Sequence, residues 1–165
     1  MNRGTTRFSA APLLLLGAVA VAAVQPGNVS APTVPIVGQW RLNLSRTHYG
    51  TGVDVRRSET FTCDIDRKLV RCVIRSVRQD GRKLTAQFAT PTDASPAPVT
   101  GIPDIDSVSL SQPIPSLLDA TFSFRGKPVF AYRAYRSSDG ASLMIVSVDP
   151  ISHSAMTTVV VYDRQ

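Results

Sequence analysis

The chain has 165 residues, 43% of them hydrophobic, and carries 18 Lys and Arg against 12 Asp and Glu, a formal net charge of +6. That length suits one domain with a real core. The positive surplus is moderate, rests mostly on arginine, with Lys68, Lys83 and Lys127 as the lysines, and accompanies no basic, aromatic-rich motif, so no nucleic-acid partner is expected.

The N-terminus places Arg3 and Arg7 before an apolar run over residues 10–24, centred on Leu13 to Leu16 and followed by small residues. This order is that of a cleavable signal peptide. The run is shorter than the roughly 20 residues a membrane-spanning helix needs, and polar, proline-containing sequence follows at once. Ala20, Ala22 and Ala23 are all compatible cleavage positions. Cleavage after Ala23 is the preferred reading, giving a signal peptide over 1–23, a flexible linker over 24–36 and a β domain over 37–165. No cysteine lies near the cleavage region, so an acylated N-terminus has no thiol to use. The expected location is therefore periplasmic or secreted. Loss of Arg3 and Arg7 lowers the formal charge from +6 to +4.

From Val37 onward short runs alternate apolar and polar residues between Gly, Pro and Asp turn signals, the pattern of strands. Strands are expected near 37–44, 55–65, 69–78, 83–90, 106–111, 117–124, 128–136, 142–148 and 156–163. No segment of the mature chain shows a 3.6-residue period of helical length, although short helical turns fit 45–51 or 113–117. The proline-rich stretch 91–103 reads as a loop, because proline has no N–H to give a ladder.

The two cysteines test the register of one hairpin. A turn over 66–69 sets Ile65 opposite Val70, Cys63 opposite Cys72 and Phe61 opposite Ile74, all on one face. The other face then sets Asp64 across from Arg71. A Cys63–Cys72 disulfide is the leading reading in an oxidising compartment, with two buried free thiols as the alternative. Gln79-Asp80-Gly81 reads as a three-residue hairpin loop. Similar loops at Gly126 and at Ser138-Asp139-Gly140 carry the inward face on through Leu118, Ala120, Phe122, Phe124, Phe130, Tyr132, Ala134, Met144, Val146 and Val148. Asp119 and Arg133 fall outside, opposite or diagonal to one another. With no helix to cover such a face, closure into an antiparallel up-and-down barrel of about 8–10 strands, or else a strongly curled sandwich, is the economical all-β solution.

The start Gly38-Gln39-Trp40 and the end Val161-Tyr162-Asp163-Arg164 resemble the calycin barrels, the lipocalins and fatty-acid-binding proteins. The resemblance implies that Trp40 plugs the barrel floor with Arg164 across its ring. A closer likeness is to small exported bacterial lipocalin-like proteins of unassigned function. It rests on the segments 38–43, 98–106, 137–140 and 161–165 in that order, and it implies a fold without implying a chemistry. Residues 94–98 depart from that pattern, which has an Asp-Gly turn there.

Chemical motifs are sparse. His48 and His153 show no spacing that pairs them with each other or with a carboxylate, and no nucleophile elbow, zinc motif or phosphate loop occurs. No catalytic residue, metal or cofactor is expected. Asp104 and Asp106 read as turn carboxylates in preference to cation ligands. The expected function is binding of a small apolar or amphipathic molecule inside the barrel, by Phe61, Ile74, Arg78, Phe88, Phe122, Phe124, Phe130, Tyr132 and Met144. The alternative is a filled, non-catalytic envelope protein. It would act through a basic stripe of Arg67, Lys68, Arg71, Arg75, Arg78, Arg82 and Lys83, of which strict alternation turns only Arg78 inward; such a stripe suits weak contact with an anionic surface. A monomer is expected.

Overall fold

The computed structural model describes residues 34–51, 55–152 and 155–165. Residues 1–33, which include the stretch read above as a signal peptide and the start of the expected linker, and His153 lie outside the described residues. Ten strands run in chain order: β1 (Gly38–Leu42), β2 (Arg56–Asp66), β3 (Leu69–Arg78), β4 (Lys83–Thr90), β5 (Ala97–Thr100), β6 (Ser107–Ile114), β7 (Leu117–Phe124), β8 (Lys127–Arg136), β9 (Ser142–Val148) and β10 (Ala155–Arg164). A 3₁₀ turn, Leu44–Arg46, follows β1, with the Asn43 side chain accepting from the Arg46 N–H. Every strand pairs antiparallel with its chain neighbours, and β10 pairs back onto β1, so the sheet closes as an up-and-down barrel. Inward positions such as Val70, Cys72, Leu110, Leu118, Ala120 and Phe122 are buried, while their strand neighbours mostly face outward.

The cysteine hairpin has the register its sequence requires: Phe61 opposite Ile74, Cys63 opposite Cys72 and Ile65 opposite Val70. Cys63 and Cys72 are disulfide-bonded with their Cα atoms 4.2 Å apart, the close spacing of directly facing strand residues. Arg67 and Lys68 form the two-residue turn with both φ values positive, a type I′ geometry matched to strand twist. Asp64 is indeed opposite Arg71, but the Arg71 guanidinium pairs diagonally with Asp66 at 2.7 Å. On the far side of the barrel Arg133 Nε donates to Asp119 at 3.1 Å, as their facing positions suggest.

Four expectations need correction. Residues 91–103 are not wholly loop, since Ala97–Thr100 forms the short strand β5 between β4 and β6. Pro98 is tolerated there because the neighbouring Val99 N–H carries the bond, to the Asp106 carbonyl at 3.0 Å. Gly101 follows with φ +84, and a Cβ on it would stand 1.8 Å from the Thr85 carbonyl oxygen, so only glycine lets this segment lie on β4. The linker reading runs too far: Val34, Pro35 and Ile36 are buried, and Ile36 is 1% exposed.

The third correction concerns parity. Arg136 faces Leu143, and Ser137 N–H donates to the Ser142 carbonyl, so the β8–β9 loop has one residue more than the Ser-Asp-Gly reading allows. A one-residue change exchanges the faces of everything beyond it. Leu143, Ile145 and Ser147 therefore point inward on β9, and Met144, 40% exposed, is on the outer wall. The β7–β8 hairpin also departs from its reading, with a two-residue Arg125-Gly126 turn, but a bulge at Val129 restores the register by Phe122–Phe130. Phe130 and Tyr132 keep the inward face for that reason.

The fourth correction is at the floor. Trp40 is buried, 1% exposed, and its indole N–H donates to the Ile36 carbonyl at 2.9 Å. A Cβ on Gly38 would approach the indole to 3.3 Å, so the Gly-x-Trp spacing lets the ring fold back on its own strand. Arg164 faces Trp40 across the β1–β10 pair, but the guanidinium over the indole is that of Arg136, 5.6 Å from the ring centroid. Burial and then the nearby Arg164 lower the Arg136 pKa.

The disulfide closes a short loop, with a sequence separation of 9, for which chain entropy gives a contribution of about 2–3 kcal/mol. The Cys63→Ala/Cys72→Ala variant should lose about that much or slightly more, because two small cavities are added. Urea unfolding of the variant beside the native chain measures it, and an unchanged midpoint would contradict the assignment.

Candidate functional site

Closure of ten strands encloses a cavity of about 210 Å³. Its walls come from β2, β3, β4, β7, β8, β9 and β10. Phe61, Cys63, Cys72 and Ile74 contribute from β2 and β3, Ala86 and Phe88 from β4, Phe122, Phe130 and Tyr132 from β7 and β8. Ile36 enters from the floor segment, and Ile102 and Ile105 from the β5–β6 connection. The aromatic rings pack on one another, Phe122 standing 5.8 Å from Phe130, 5.7 Å from Tyr132 and 6.3 Å, edge-on, from Phe88. Such ring pairs stiffen the wall beyond what area burial alone provides.

Of the residues expected to line the interior, Phe61, Ile74, Arg78, Phe88, Phe122, Phe130 and Tyr132 do so. Phe124 and Met144 do not. Phe124 ends β7 with the Arg125 guanidinium 5.0 Å from its ring, and Met144 faces outward by the parity change described above. His48 is exposed and bridges Val159 through its backbone. The Asp106 carboxylate accepts from Arg125 N–H at 2.7 Å and from the Ser107 hydroxyl at 3.0 Å, the work of a turn carboxylate. Among the described residues no group of three or more His, Cys, Asp and Glu side chains converges.

The chemistry of the cavity lies in residues that sequence reading did not single out. Glu59 is 5% exposed, and its Oε1 accepts from Arg56 Nη1 at 2.7 Å and from the Tyr162 hydroxyl. Arg56 also reaches the Tyr162 oxygen at 3.3 Å. The Arg56 side chain is one third exposed, so the pair stands at the solvent end of the cavity. Glu59 was within reach of the sequence, because strict alternation from Cys63 and Phe61 brings it inward. Arg56 was not. It faces Arg78 while Ser58 faces Val77, which makes Arg57 the extra residue of a bulge and turns Arg56 toward the same interior as Glu59.

Burial disfavours the Arg56 cation, but the Glu59 charge, followed by Tyr162 and Tyr49, outweighs it, and the Arg56 pKa is raised. Burial, then the Glu59 charge, pushes the Tyr162 phenol well above its usual range. The same two causes raise Tyr132. Both phenols are therefore neutral donors throughout the physiological range, and the Arg56–Glu59 pair carries no net charge. What results is an apolar chamber with a fixed polar rim, which can orient a small molecule by hydrogen bonds.

Comparison with protein-family models, with curated proteins and with solved structures finds no match to this chain. The all-β closed barrel is compatible with a calycin-like fold.

Tyr132 and Tyr162 give stability a defined pH dependence. Their folded pKa values lie above the unfolded value of about 10, so the unfolded chain loses these protons first as pH rises. The stabilisation they bring is complete below about pH 10 and falls above it by about 1.4 kcal/mol per pH unit for each tyrosine. Urea midpoints between pH 8 and pH 11 should show this fall, and Tyr132→Phe should roughly halve its slope.

Proposed function

We propose that the chain is an exported protein that loses residues 1–23 and holds a small apolar or amphipathic molecule inside its barrel. The observation that carries this reading is the cavity, enclosed by aromatic and aliphatic side chains and edged at one end by Arg56, Glu59 and Tyr162. A filled core of the same composition would leave no such volume, since protein interiors pack at the density of organic crystals. The volume, about 210 Å³, exceeds the roughly 150 Å³ of an apolar cavity that admits benzene, so a molecule of one-ring size suits it. The disulfide agrees with an oxidising compartment outside the cytoplasm.

The alternative, action through the basic outer face, draws on the exposure of Arg67, Lys68, Arg71, Arg75, Arg82 and Lys83. Two of these are already committed to acids, Arg71 to Asp66 at 2.7 Å and Arg82 to Asp80 at 2.5 Å, which weakens the stripe as an anion-seeking surface.

Two measurements check the proposal. Intact mass of the chain recovered from the periplasm or medium of a bacterial host should place its first residue at Val24; a full-length product would remove the export reading. For the cavity, toluene at ten times its Kd should stabilise the folded chain by about 1.4 kcal/mol and raise the melting midpoint by a few degrees. A midpoint indifferent to toluene up to its solubility would count against internal binding.

A further inference from the structure

Three hydroxyl groups on residues that line the cavity have no hydrogen-bond partner among the described residues. Ser76 is 7% and Ser147 8% exposed, and both line the chamber together with Tyr132. Neither serine hydroxyl nor the Tyr132 phenol makes a hydrogen bond to another described group, yet their oxygens keep accessible surface. On residues so deeply placed, the space that surface meets is the cavity. Burying a hydroxyl without a partner costs on the order of 1–3 kcal/mol, so such groups mark a place where something else supplies the bond.

Their placement is ordered. Ser76 faces Glu59 across the β2–β3 pair, and Ser147 faces Tyr132 across the β8–β9 pair. Between those two walls stands Tyr162 on β10, bonded to Glu59. The result is a polar belt across one part of an otherwise apolar chamber.

We infer that this belt seats the oxygen of a neutral, compact, ring-shaped molecule, a phenol or a cyclic alcohol or ketone; the inference rests on the internal binding proposed above. The charge pattern selects neutrality. Glu59 is neutralised by Arg56, Arg78 already interacts with a neighbour, and the belt itself is made of uncharged hydroxyls. A ligand carboxylate would meet Glu59, and a ligand ammonium would meet Arg56. Hydroxyls both donate and accept, which suits an alcohol or phenol, while a ketone uses the donors alone. Size selects compactness. Scaling from benzene in its cavity of about 150 Å³, the volume here takes roughly eight to ten non-hydrogen atoms, fewer than a long acyl chain contains.

The test compares phenol with toluene, which share a shape and differ in one hydroxyl, using calorimetric or NMR titration of the disulfide-bonded mature chain. Benzoate and decanoate serve as anionic and long-chain probes. Phenol should bind more tightly than benzoate or decanoate. Tyr132→Phe and the double variant Ser76→Ala/Ser147→Ala should each lower the phenol-to-toluene affinity ratio by roughly 3- to 10-fold, with toluene affinity itself changed less than about 2-fold. Retained toluene binding also shows that each variant has folded. If toluene binds and the ratio is the same in the native chain and both variants, the hydroxyl belt is not the seat and this inference falls while internal binding stands. Tighter binding of benzoate or decanoate than of phenol overturns the ligand class. Failure of all four probes removes the cavity reading itself.

Discussion

An antiparallel meander whose strands all present one apolar face must cover that face, and among the described residues there is no α-helix to do it. The rest of the structure depends on meeting this constraint by closure at the seam between β1 and β10. That seam is built from the two ends of the domain. Trp40 lies opposite Arg164, the Asn43 N–H donates to the Val161 carbonyl and the Gln165 N–H to the Gln39 carbonyl. Asn43 Nδ2 also donates to Asp163 at 2.7 Å, and Arg46 pairs with the same carboxylate at 3.3 Å. Beneath the seam Trp40 and the Val34–Ile36 segment fill the floor, joined by the indole hydrogen bond.

Closure creates the setting in which the interior charges matter. In an open sheet Glu59 would be hydrated and Tyr162 an ordinary phenol. Inside the wall, Glu59 has little water to share its charge with and instead is held by Arg56 and Tyr162. Such a pair is seldom a net source of stability, because desolvation offsets attraction. Its presence at a bulge, where the chain departs from alternation to bring Arg56 inward, is better understood as fixing the polarity of the chamber.

Much of the fold was legible, and the reason is local. The cysteine hairpin has a register that satisfies a disulfide and an apolar face at once, and the structure keeps it. Parity could be followed only as far as loop lengths were right. The Arg125-Gly126 turn is one residue shorter than the sequence suggests, but the Val129 bulge compensates for it. The β8–β9 loop had no compensating bulge, and Met144 changed sides with Ile145 and Ser147. The aromatic wall was therefore readable while the polar belt was not, since Ser147 depends on that loop and Arg56 on a bulge that no residue type announces. Trp40 was identified as the floor, but its cation comes from β8, a contact between strands that are not sheet neighbours and that alternation cannot reveal.

The seam also divides the barrel's pairings by distance along the chain. Each other strand pair joins consecutive strands through a connecting segment, and small loops close at little entropic cost, on the timescale of microseconds for a hairpin. The β1–β10 pair joins residues more than a hundred positions apart, as Leu42 with Tyr162 shows. Of the barrel's pairings it is the one whose closure costs the most chain entropy. Until it forms, both strands that will make it carry open edges able to pair with another copy. The Asn43–Asp163 hydrogen bond and the Arg46 ion pair lie at this join, where polar specificity opposes a wrong partner more than it adds to the stability of the right one.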